Sequence, residues 1–212
     1  MAGTTSNGSR DSGKVALKEP EFRDGIPFVG GRLWLDLLNT TPIDANGHPV
    51  DLIATETGLA AWLAAARLAP GAASAPRLLQ SRIVALRTDL RTAFETMRSG
   101  GSVPETAVAA INQLLDTVAV RARLERDGDG LRLATRIEPG NSGPAGMIAE
   151  DFARFSCEFE PERLKHCANP GCSMVFYDIG KNNVRRWCTM SICGNRDKVA
   201  RFRARKAGSA GA

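Results

Sequence analysis

Histidine and tyrosine are nearly absent from this chain: two of the first and one of the second among 212 residues. With so little imidazole, a histidine-based catalytic or metal site has almost no material to work with. No P-loop, GxSxG, HExxH or GxGxxG pattern occurs, which removes the commonest phosphate-cradling, acyl-transfer, zinc-protease and dinucleotide sites. No apolar run approaches the ~20 residues needed to span a bilayer, so no membrane partner is expected. The N-terminal MAGTTSNGSRDSGK is polar and lacks the apolar stretch of a secretory signal, and residues 1–24 are expected to form a disordered tail. These absences point to a cytoplasmic protein that is not an enzyme. In a reducing compartment its five cysteines favour metal binding or free thiols over a disulfide framework.

What is present is unevenly placed. The net charge is +5, yet residues 165–206 carry ten Lys/Arg against Asp178 and Asp197, a net of +8, which leaves −3 for the rest. Such asymmetry suggests a polyanion-binding end on a nearly neutral body. A basic stretch is more often a solvated helix face, so the charge needs a second, independent observation.

Periodicity predicts an α+β chain: a mostly helical N-terminal domain with a small β-hairpin over residues 25–160, then a cysteine module over 161–206 and a short tail, 207–212. LWLDLL (33–38) fits both the strand and the helix period. TETGLAAWLAAARLA predicts a helix stopped by Pro70-Gly71. A longer amphipathic helix over 75–98 follows from Leu79, Ile83, Leu86, Leu90, Phe94 and Met97. Another helix begins near Pro104, and alternation about Asp127-Gly128-Asp129-Gly130 predicts a hairpin. A short helix around 143–159 has Met147, Phe152 and Phe155 as core candidates, with Cys157 a buried thiol beside Phe155 and Phe159.

The cysteine module reads CANPGC (167–172) and CTMSIC (188–193), or C-x4-C-x15-C-x4-C. Two close pairs at this separation are the general signature of a four-thiolate zinc site. The ion holds each sulfur at ~2.3 Å in a tetrahedron, so two short loops must approach it from opposite sides. Pro170-Gly171 suits a tight turn with positive φ in the first loop. Between the pairs, Met174–Tyr177 and Val184–Trp187 are expected to form two short strands, and the segment after Cys188 is compatible with a helix. That order is treble-clef-like. One structural Zn2+ on Cys167, Cys172, Cys188 and Cys193 is expected, with no open position for a catalytic water. Buried core thiols and a redox dithiol are the lesser readings, the latter because it normally uses CxxC beside a βαβ unit. His166 adjoins a ligand but should point the other way along an extended segment.

On a helical wheel Ile192, Asn195, Val199 and Phe202 share a side that could pack on the zinc hairpin. Lys198, Arg201 and Arg205 share another, with Arg196 and Arg203 flanking and Arg185, Arg186 and Lys206 extending the patch. Guanidinium groups in such an array suit phosphate and guanine edges, so double-stranded DNA is the expected partner.

CANPGC, RRWC and above all CGNRDKVARFRARK resemble the CGNR zinc finger, whose tetrad stands here at Cys193-Gly194-Asn195-Arg196. In that family the finger follows an ABATE domain carrying an LDxxNT-like stretch, which LWLDLLNTT (Asp36, Asn39, Thr40) resembles. Gly180 departs from the family, standing where a serine is common. The resemblance implies a bacterial stress-induced transcription regulator, with the four cysteines as its zinc ligands. The leading expectation is therefore a zinc-dependent DNA-binding regulator whose helical domain senses a signal or forms a homodimer. The alternative is an RNA-binding or protein-interaction module using the same basic finger. A small-molecule effector would need a pocket, for which Trp34, Asp36, Asn39 and Trp62 are the candidate lining, although such tryptophans more often fill a core. For an enzyme, the lesser reading, Asp36/Asn39 and Asp44/Asp51 would be the polar site candidates.

Overall fold

The computed structural model describes residues 20–68 and 75–209. Most of the predicted tail, residues 1–19, and the Pro70-Gly71 stop lie outside the described residues.

The described chain opens with a minimal hairpin, β1 (Phe22–Arg23) and β2 (Ile26–Pro27), of which β1 falls in the segment expected to be tail. Its turn is Asp24-Gly25, both at positive φ, the backbone of a type I′ turn. Among the described residues six α-helices follow: α1 (Leu33–Leu38), α2 (Glu56–Ala65), α3 (Pro76–Arg98), α4 (Glu105–Leu115), α5 (Gly143–Ser156) and α6 (Asn195–Ser209). Helix α2 ends at Ala65, ahead of the Pro-Gly pair, with Arg67 in the left-handed region. Helix α6 runs past Lys206 to Ser209. No described helix is long and apolar enough to cross a membrane.

The ambiguous LWLDLL segment is a helix, and its surroundings explain the mixed period. Trp34, Leu35, Leu37 and Leu38 are all fully buried, because α1 is enclosed by α3, α5 and a strand of the finger. An element buried all round has no polar face to mark its period. Around it α3 contributes the predicted stripe, with Ile83, Leu90 and Phe94 fully buried. From α5, Phe152 and Phe155 enter the core as expected, whereas Met147 is half-buried and Ile148 takes the inward position. Cys157 is not buried: it caps the end of α5 at the surface, its thiol donating to the Ala153 carbonyl.

The predicted hairpin is β3 (Ala119–Asp127) and β4 (Gly130–Glu138), nine pairs long with a two-residue turn. Gly128 alone has positive φ there, the type II′ pattern. The arm stands away from the body, with Leu124, Leu131 and Leu133 exposed on one face and Arg121–Glu138 and Arg132–Glu125 ion pairs on the other.

The finger's own hairpin is β5 (Leu164–His166) and β6 (Val175–Tyr177). This corrects the expected pairing, since β6 partners the strand before the first cysteine and not residues 184–187. That later segment is laced down by side chains instead. Lys165 donates to the carbonyls of Asn183 and Arg185, while Asp178 accepts from the Arg185 N–H. Burial works against the charge of Asp178, but Lys165 and the amides of Gly180 and Arg185 hold it below the usual carboxylate range.

Candidate metal centre and basic helix

Cys167 and Cys172 sit at the tip of the β5–β6 hairpin. The turn is closed by Asn169, whose carbonyl accepts from the Cys172 N–H and whose side-chain oxygen accepts from Gly171 N–H. Gly171 is not among the positive-φ glycines, so the asparagine and not glycine's conformational freedom folds this loop. Cys188 precedes a π turn, Met190–Gly194, that contains Cys193 and runs directly into α6. Thr189 starts the turn: its hydroxyl accepts from Ser191 N–H and donates to Glu21 of the body.

The four sulfurs converge. All lie within 4.8 Å of one another, with Cys172–Cys188 at 3.8 Å and Cys188–Cys193 at 3.7 Å. A tetrahedron with zinc–sulfur bonds of ~2.3 Å has sulfur–sulfur edges of about 3.8 Å. The donors therefore fit a zinc ion in both chemistry and spacing. Without a cation such a cluster cannot hold four thiolates. Hydrogen bonds from Cys172 and Cys188 push Cys167 down, the bond to Cys167 pushes Cys172 up to about 12, and the bonds to Cys167 and Cys172 push Cys188 up as well. A divalent cation removes that conflict by deprotonating all four. The supporting shell is already aimed: Cys188 N–H points at Cys167 Sγ (3.4 Å) and Asn169 Nδ2 at Cys193 Sγ (3.5 Å). His166 takes no part, bonding Glu95 and standing edge-on to Phe94.

The CGNR tetrad can be read atom by atom. Cys193 is a ligand. Gly194 lies so close to Met190 that a Cβ there would stand 2.8 Å from its sulfur. Asn195 begins α6 by donating to the Ser191 carbonyl (3.0 Å). Arg196 is exposed, the first cation of the helix.

From Lys198 to Lys206 every residue is exposed. The apolar stripe does not pack on the zinc hairpin as expected: Val199 and Phe202 are 48% and 61% exposed, and among the described residues the helix's main partner is its own π turn. Arg201 pairs with Asp197 at 2.6 Å. Arg186 is exposed over the Trp187 ring. Arg185 departs from the expected patch. Its guanidinium lies 4.1 Å above the Phe176 ring and donates to the carbonyls of Val29, Trp187 and Cys188, which makes it a strut of the finger.

The expected effector pocket is not assembled. Trp34 and Trp62 are fully buried core residues, and their indole N–H groups have no partner among the described residues. Asn39, also fully buried, is bonded to the finger: its Nδ2 donates to Val175 O (2.9 Å) and its Oδ1 accepts from Val175 N–H (2.8 Å). It thereby completes the open edge of β6 as a neighbouring strand would. Only Asp36 reaches a cavity wall, where burial pushes it up to about 7 despite its bond from Gly30 N–H. Asp44 closes its own loop by accepting from Asn46 and His48, and Asp51 forms a two-pronged ion pair with Arg87 that holds it below the usual carboxylate range.

A tetrahedral set of thiolates shared between a hairpin tip and a helix start defines a treble-clef-like structural zinc finger, here joined to a helical body. Residues 163–206 match the CGNR zinc finger, and residues 31–158 match ABATE, described as "Putative stress-induced transcription regulator". The latter match covers more than half of the chain, and the chain belongs to the ABATE family. Neither description is of an enzyme. Comparison with curated proteins finds no match.

Proposed function

We propose that this protein is a zinc-dependent transcription regulator that binds double-stranded DNA through α6. The observation that carries the reading is the state of that helix, which is basic, exposed from Lys198 to Lys206 and rooted in the zinc cluster. Six cations between Arg196 and Lys206 face a single acid, Asp197. Like charges at helical spacing repel one another, and a polyanion converts that repulsion into attraction. Arg186, Arg196, Lys198, Arg203 and Arg205 form the contact set, with Arg201 joining when it releases Asp197 and Lys206 beyond. If about five of them meet phosphates, log affinity falls against log salt with a slope of ~−4.5. The helical body then serves as the sensing or dimerising half, responding to a small-molecule effector or pairing with a second copy.

RNA or an acidic protein is the competing partner for the same helix. Selection from a random duplex pool, with and without chelator, tests the reading. Enrichment of a sequence that depends on zinc supports it. Equal retention of RNA, duplex DNA and a non-nucleic polyanion at matched salt would contradict it.

A further inference from the structure

A cavity of about 870 Å³ lies between the helical body and the finger, within the range of small-molecule sites. The body supplies Phe28, Leu33 and Asp36 to its wall, and the finger's 178–190 loop supplies Ile179, Val184 and Met190. Those three finger residues are 80%, 72% and 51% exposed. Large apolar side chains held on the rim of a cavity are what a partly apolar ligand would cover.

The charges along the wall set the sign of that ligand. Its acids are already engaged. Asp178 is held by Lys165 and two backbone amides, and Glu21 accepts from the Thr189 hydroxyl. Asp36 accepts from Gly30 N–H and is largely buried, conditions under which a carboxyl opposes an incoming anion only weakly. Two of the cations keep donors to spare. Arg186 makes no ion pair among the described residues and rests only on the Trp187 ring. Arg32 gives Nη2 to the side chain and carbonyl of Asp151 and its Nε is buried without a partner, while its Nη1 makes no bond among the described residues and is the donor left to a ligand. Arg185, by contrast, is spent on three carbonyls.

We propose that this cavity is a ligand site for an amphipathic monoanion, a ring-bearing carboxylic acid. Its apolar body lies against Phe28, Ile179 and Val184, and its carboxylate is taken by the spare donors of Arg32 and Arg186. The site joins the two halves of the molecule, so its occupant touches the body and the loop that leads into the second pair of zinc ligands. Binding is a property of the protein alone and stands whether or not α6 binds DNA.

The test is calorimetric titration of the zinc-loaded full chain with 2-naphthoate, and with 2-naphthylmethanol as its neutral counterpart. The expected result is saturable binding of the acid, weakened ~10-fold or more in the alcohol and in Arg186→Ala, as loss of a charged hydrogen bond implies. Ile179→Asp, at an exposed rim position, weakens the acid by a similar factor while zinc content stays unchanged. Absence of saturable binding by 2-naphthoate overturns the site. Equal binding of acid and alcohol overturns the assignment of an anion, and acid binding indifferent to both substitutions places the ligand elsewhere.

Discussion

The two ends of the finger are held in different ways. Its root, the β5–β6 hairpin, sends Leu164 and Val175 into the same core as Trp34 and Phe94, and Asn39 of the body pairs with Val175 on both sides of its peptide unit. Tyr177 N–H bonds Gly30 O, and Ser173 bonds Thr41 O. The outer helix, α6, has no such anchorage among the described residues: it leaves the body at the π turn and is exposed from Lys198 to Lys206. So the root is part of the body's fold, whereas the helix takes its position from the cluster that contains Cys188 and Cys193. Two matched families thus share one core, and the metal's structural reach is concentrated on the part of the finger that carries the basic charge.

That contrast is open to being broken. The largest expected effect comes from zinc removal or Cys193→Ser. Structural zinc contributes ~10–16 kcal/mol to the folding of such units. Helix α6 should lose its order and duplex affinity should fall about 100-fold or more, as read by binding titration. Body helicity should persist, as read by circular dichroism and by the emission of the buried Trp34 and Trp62. Retained affinity in the chelated protein would show that the helix stands without its metal.

Asn39→Ala probes the other end. It leaves the N–H and C=O of buried Val175 without partners, at ~1–3 kcal/mol each. A fall in Tm of roughly 5–12 °C is expected, with zinc stoichiometry intact. A change below a degree would mean that the root is held by apolar packing alone.

Replacing Arg196, Lys198, Arg203 and Arg205 together by Ala should leave zinc content and Tm nearly unchanged and flatten the salt dependence of duplex binding by ~3 to 4. Arg185→Ala should do the reverse, lowering stability with little change in slope, because its guanidinium is committed inside the finger.

How far this division could be read in advance differs from residue to residue. The four cysteines were legible because chelation is a local constraint: short loops and a fixed tetrahedron leave their spacing in the chain. The stripe of α3 was legible because one face is buried and the other is wet. Asn39 was not, since its partner lies 136 residues away and nothing local marks an asparagine that substitutes for a strand. The pairing of β6 was missed for a related reason. Residues 184–187 have strand-like composition, but Lys165 and Asp178 bind that backbone with side chains and remove it from the ladder. Arg185 looked like one more cation in a basic run, and only the carbonyls gathered around it separate it from its neighbours.

The smallest expected effect concerns the body's buried carboxyl. Asp36 is raised from 3.8 to about 7, first by burial. The folded state therefore binds more protons than the unfolded state across that window, and stability falls as pH rises through it. Asp36→Asn carries no such slope. Its advantage in Tm over the unaltered protein should grow between pH 5 and pH 8, by several degrees at most, since the part of the shift lying between pH 5 and 7 corresponds to on the order of 3 kcal/mol as an upper bound. Parallel Tm curves for the two proteins would place the Asp36 pKa in the ordinary range.

The division of the finger is tested most directly by amide hydrogen exchange on the full chain, zinc-loaded and chelated. Chelation should strip protection from α6 and the π turn while α1 and α3 keep theirs and β6 loses only part. Protection of α6 that survives chelation, or its loss together with that of α1 and α3, would contradict that division.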